Sequence, residues 1–113
     1  MLNVTRATTV AARCRVADAF LSRGIGLLGR SRLADGEGLL ITRTSTITML
    51  GMRMPIDAVF LDREGRVVKV RPRLRPWSLA IGAPSAAGVL ELAAGAASAS
   101  GTQAGDVLVF EAL

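Results

Sequence analysis

The chain has 113 residues, of which 50% are hydrophobic and 20% charged, with a formal net charge of +5. Such a length is one domain, 1–113, able to bury roughly 60–70% of its unfolded surface, and the composition excludes intrinsic disorder. Histidine is absent, which excludes Ser-His-Asp triads, Cys-His pairs and imidazole metal sites.

Other features bound the setting. The single cysteine, Cys14, can form no internal disulfide, so nothing calls for an oxidising compartment. No apolar run of signal-peptide length precedes Arg13 and Arg15. Between Arg75 and Asp106 the only charge is Glu91, yet Pro76, Gly82, Pro84, Gly88 and Gly95 interrupt that stretch, and a spanning helix needs about 20 predominantly apolar residues. A cytoplasmic protein with no membrane contact is expected. Lys69 is the one lysine among 14 basic residues. The positive balance favours anionic partners through long-range attraction and says nothing about fold.

In chain order, Val4 opens a candidate edge strand. Val10, Ala12, Cys14 and Val16 share one parity and Arg13 and Arg15 the other, which predicts a half-buried strand with Cys14 on the core face as a small hydrophobe. From Asp18 the period changes. Phe20, Gly24, Leu27 and Leu28 follow the spacing of one helical face, with Asp18 as cap or first-turn acid, and glycines 24, 26 and 29 shorten the helix. Gly24 to Gly29 has the spacing of a dinucleotide fingerprint but closes a helix instead of opening one, so close packing is the reading.

Asp35–Gly38 is a turn and Leu39–Arg43 a strand. Thr44–Thr48 is β-prone and leads into Met49–Pro55. Ala58–Leu61 is apolar on both parities, predicting a strand buried on both faces. Asp62–Gly65 makes a hairpin turn, with Gly65 suited to positive φ, and Val67, Val68 and Val70 begin the return strand. Beyond it, Lys69, Arg71, Arg73, Arg75 and Trp77 share one parity, with Pro72 and Pro76 on the other. The prolines confine this segment to a sheet edge or a polyproline-like excursion. Gly88–Leu92 reads as a strand, Ala93–Ser100 as a helical turn, and Val107–Glu111 as the last strand.

Several of these pieces together resemble the bacterial family called domain of unknown function 192. They are Val16-Ala17, Gly26–Arg30, Leu33, Gly36–Leu39, Gly51–Asp62, Val89–Leu92, Gly95 and Gly105-Asp106, spanning about residues 8–111. Met-x-x-Pro-Ile-Asp followed by a hydrophobic strand is the most specific. The resemblance implies a compact, mainly β fold and brings no established activity with it. Many relatives carry a histidine at the position of Thr48 and often an aromatic at that of Met54. Chemistry built on that histidine is not expected here.

Met49, Met52 and Met54 invite a copper(I) site, because thioethers select that ion. Their mixed parity and the use of Met as core filler favour packing, so no metal and no cofactor is expected. Asp57 and Asp62 lie five apart in a strand and point to opposite faces, which prevents an acid–base pair unless a bulge intervenes. Asp57 suits acceptance of backbone N–H bonds beside the Pro55 turn. Gly105-Asp106 suits a turn, with glycine giving backbone freedom and aspartate tying it.

The expected fold is α+β and mainly β: a small antiparallel barrel-like or strongly curled sheet with one or two short helices. The expected function is a non-catalytic binding or accessory module, its ligand or protein partner held around Met52, Arg53 and Asp57. Nucleic-acid or polyanion binding through Lys69, Arg71, Arg73, Arg75 and Trp77 is the alternative, and a carboxylate-based enzyme comes third.

Overall fold

The structure is a computed structural model that describes residues 1–18, 33–47, 49, 54–78 and 81–110. It is mainly β. In chain order the strands are β1 (Leu2–Asn3), β2 (Thr8–Thr9), β3 (Arg13–Asp18), β4 (Glu37–Thr42), β5 (Thr46–Ile47), β6 (Ile56–Leu61), β7 (Val67–Leu74), β8 (Ile81–Gly82), β9 (Gly88–Ala93) and β10 (Leu108–Val109), with a helical turn at Ala96–Ala99. A five-stranded sheet of order β3-β4-β9-β6-β7 forms the centre, flanked by sheets β10-β1-β2 and β5-β8.

The apolar runs decide the centre. Every residue of β6 and β9 is buried, as the apolar run Ala58–Leu61 predicts for β6. One face of the sheet packs Leu39, Ile41, Ala58, Phe60 and Val89 against Met49, Leu74 and Ala83. The opposite face packs Val59, Leu61, Leu90 and Leu92 against Met1, Val10, Ala97 and Leu108. Burying a Leu, Val or Phe side chain stabilises by about 1.5–3 kcal/mol, so these two layers are the main driving force.

Several expectations change. Among the described residues the sheets do not close into a barrel: β3 and β7 are outer strands of the central sheet. Pro72 in β7 has no N–H to offer a further strand. The sheet is also not purely antiparallel, since β3 and β4 pair in parallel from Arg13↔Glu37 to Asp18↔Thr42. The connection 19–36 exceeds the roughly dozen residues a parallel crossover needs. The early strand starts at Arg13 and lies at the sheet's edge, so Val16 is 56% exposed and the predicted core parity fails there. Cys14 is half-buried against the second layer, and burial raises its thiol pKa. Asp18, read as a helix cap, is the last residue of β3. The predicted helix beyond it and the Gly24–Gly29 run lie outside the described residues.

Two turns behave as their residues predict. At the β6–β7 hairpin, Asp62 Oδ1 accepts the N–H groups of Glu64 and Arg66, both at 2.9 Å, and Gly65 takes φ 83°. A Cβ on Gly65 would stand 2.5 Å from the Leu108 carbonyl oxygen. Gly65→Ala therefore meets both a left-handed backbone and a clash, with an expected loss of about 2 kcal/mol or more in chemical denaturation. An unchanged midpoint would show that the turn relaxes freely. At the other turn Gly105 adopts φ 94°, and Asp106 Oδ2 accepts from Arg6 Nε at 3.1 Å, Asn3 Nδ2 at 3.0 Å and Gln103 N at 3.1 Å. Those bonds, Arg6 first and then Asn3, hold the Asp106 carboxyl below its ordinary pKa. They also tie β1 to the segment before β10.

Candidate functional site

Asp57 is the polar centre of the signature segment. It lies in β6, is 0% exposed, and pairs in register with Leu92 of β9. Its Oδ1 accepts the Arg73 N–H at 2.9 Å, and its Oδ2 accepts Gly95 N–H at 3.0 Å and Ala97 N–H at 2.9 Å. Two of these donors belong to the start of the Ala96–Ala99 turn, where backbone N–H groups have no intrahelical partner. Asp57 thus caps a helical turn from a neighbouring strand. Its partners are cross-strand and helical, not the Pro55 turn.

The third bond shapes the sheet edge. Between Ile56↔Leu74 and Ala58↔Arg71 the pairing shifts, so Pro72 and Arg73 together oppose Asp57 as a bulge. Arg73 takes φ 51°, a left-handed conformation uncommon outside glycine. The Asp57 carboxylate receives the N–H that the bulge displaces from the ladder.

The bulge also breaks the predicted basic stripe. Arg71 pairs with Ala58, which packs on the first face. A Cβ on Gly95 would lie 3.5 Å from an Arg73 guanidinium nitrogen, placing Arg73 beside the helical turn. Lys69 donates to the Gly82 carbonyl at 3.0 Å and stands 5.8 Å over the Phe60 ring, so it is engaged within the fold. Arg71, Arg73 and Arg75 are exposed. Trp77 is 65% exposed and adopts φ 67°. The single ion pair among the described residues is Arg6–Asp106, which leaves the three rim arginines unpaired.

The two regions singled out from sequence meet here. Trp77 donates its N–H to the Met49 carbonyl at 2.8 Å, and Met49 donates to the Ser78 carbonyl at 3.0 Å. Met49 is wholly buried in the first layer, and Met54 Sδ accepts the Leu33 N–H at 3.3 Å. Both sulfurs serve the fold. Met52, Arg53 and Thr48 lie outside the described residues.

One residue escaped the sequence reading. Glu91 lies in β9 between Leu39 of β4 and Ala58 of β6 and is 3% exposed. Burial pushes its carboxyl up to about 7, and no donor or cation among the described residues offsets it. A lone Glu inside the apolar run Val89–Leu92 was the available signal. Elsewhere, a cleft of about 1060 Å³ opens at the other end of β6, between the hairpin Asp62–Gly65, the Thr42–Ser45 loop and Phe110. None of the predicted site residues that the structure describes lines it.

Among the described residues, no helix is long and apolar enough to cross a membrane. No curated protein matches the chain in sequence. A solved protein of unknown function from Novosphingobium aromaticivorans is similar at TM-score 0.75 and 25% identity, over 86% of this chain and 74% of that one. A candidate transcription regulator from Sinorhizobium meliloti is similar at TM-score 0.72 and 28% identity, over 83% and 78%. The family model described as Uncharacterized ACR, domain of unknown function 192, matches residues 2–110. The chain belongs to that family.

Proposed function

We propose that the chain is a small non-catalytic binding module whose working surface joins the Met54–Asp57 segment to the rim Arg71–Trp77, and whose partner is anionic. The observation that carries this reading is the rim itself: three exposed arginines without ion pairs among the described residues and one exposed tryptophan, set on a bulge that Asp57 holds from below. Asp57 serves the surface by shaping it, since its carboxylate is covered and occupied. The description of one structural relative as a candidate transcription regulator accords with an anionic partner.

Heparin binding measured against salt tests this. Arg71→Ala with Arg73→Ala is expected to lower the slope of log K against log salt by about 2. Truncating Arg73 leaves its backbone N–H, and so the bond to Asp57, in place. Binding indifferent to salt, or unchanged in the double variant, sinks the reading.

A second reading, carboxylate chemistry, is favoured by Glu91, whose pKa of about 7 suits proton transfer near neutrality. Its neighbours across the ladder, Leu39 and Ala58, bring no second reacting group, so binding remains the leading proposal.

A further inference from the structure

The rim contains an arrangement that a polyanion alone does not require. Trp77 is the chain's only tryptophan, and 65% of it is exposed. Its backbone sits at φ 67°, a conformation that costs a non-glycine residue of order 1–3 kcal/mol and persists only where the surroundings impose it. Here the surroundings are plain. The Trp77 N–H and the Ser78 carbonyl clamp Met49 from both sides at 2.8 and 3.0 Å, and Ser78 Oγ donates to the Arg75 carbonyl at 2.7 Å. A wholly buried methionine therefore anchors a turn that presents an indole to solvent.

We infer that the rim's partner is single-stranded nucleic acid, its phosphates met by Arg71, Arg73 and Arg75 and one unpaired base stacked on Trp77. This rests on the anionic-partner reading above and narrows it. Stacking selects a ligand with open π-faces, and arginines select phosphate. The bulge decides between single and double strands. Because it places Arg73 beside Gly95 while Arg71 stays on the side of Ala58, the cations lie around an edge and not along one flat face. A flexible single strand can follow that curve, whereas a duplex is stiff over about 150 base pairs and keeps its bases stacked on one another.

The experiment uses the whole chain and the intrinsic fluorescence of Trp77, with oligo(dT), the same sequence as a dT·dA duplex, and heparin as probes. Oligo(dT) is expected to quench the fluorescence on binding, and heparin to bind without comparable quenching. By anisotropy of a labelled oligo(dT), Trp77→Ala is expected to weaken binding roughly tenfold, and Trp77→Phe to restore most of it. The far-ultraviolet circular dichroism of Trp77→Ala should match that of the wild type, which shows that the variant is folded. If heparin binds but oligo(dT) neither quenches nor responds to Trp77→Ala, the stacking inference fails and the anionic-partner reading stands. If the duplex binds as tightly as the single strand, the single-strand assignment is overturned. If none of the three probes binds, both readings fall.

Discussion

Replacing Asp57 with alanine is expected to destabilise the protein by about 4 kcal/mol, a large part of the 5–15 kcal/mol that holds a typical domain together. The size follows from the number of donors involved. One buried carboxylate accepts from Arg73, Gly95 and Ala97, and its loss leaves one buried and two partly buried N–H groups without an acceptor, at up to about 1–3 kcal/mol each before relaxation. Asp57→Asn tests the chemistry apart from the shape. The amide keeps one oxygen, but its NH₂ then faces an N–H donor, so the loss is expected to approach that of alanine. Urea unfolding followed by circular dichroism is the suitable measurement, because exposed Trp77 reports poorly on the core. A loss under about 1 kcal/mol in both variants would mean that other groups hold the bulge and the helical turn.

Glu91 predicts an effect of similar size with a distinctive dependence on pH. Its carboxyl titrates at about 7 in the folded protein against 4.5 as its ordinary value, so the folded state binds this proton more tightly than the unfolded chain does. Its contribution is therefore most favourable below about pH 4.5, falls as pH rises between about 4.5 and 7, and is fully unfavourable above that, by about 3 kcal/mol in total. The protein should be more stable at pH 5 than at pH 8, and Glu91→Gln should flatten most of that difference. Asp106 acts with the opposite sign: its lowered pKa removes stability only as pH falls through the acidic range, outside the 5–8 window. Identical pH profiles for wild type and Glu91→Gln would show that the carboxyl reaches water.

The fold was largely legible because its strongest signals are local. Ala58–Leu61 is apolar on both parities and Gly88–Leu92 reads as a strand, and both became fully buried central strands. Asp62–Gly65 and Gly105-Asp106 carry turn chemistry that depends on a few adjacent atoms, and both turns formed with the expected φ values and bonds. The misreadings arose where pairing partners matter. Residues 10–16 alternate as a half-buried strand should, yet β3 lies at an edge in parallel with β4, and Val16 is left in solvent. The basic stripe had a clear period of two, but period alone cannot see a bulge. Two residues opposite Asp57 turned Arg73 aside, and Lys69 was drawn to the Gly82 carbonyl.

Sequence by itself determined the family segment, the apolar strands and the turns, because hydrophobic periodicity and glycine conformation act over a few neighbouring residues. Only the tertiary structure decided what the polar residues among them do. Asp57 and Glu91 are both single acids inside buried strands, and nothing local separates them. Asp57 lies where a bulge and the start of a helical turn bring three N–H groups to its carboxylate. Glu91 lies in register with Leu39 and Ala58, which have nothing to donate. Long-range register delivers the donors in one case and withholds them in the other, making one acid a structural anchor and the other a proton-sensitive weak point.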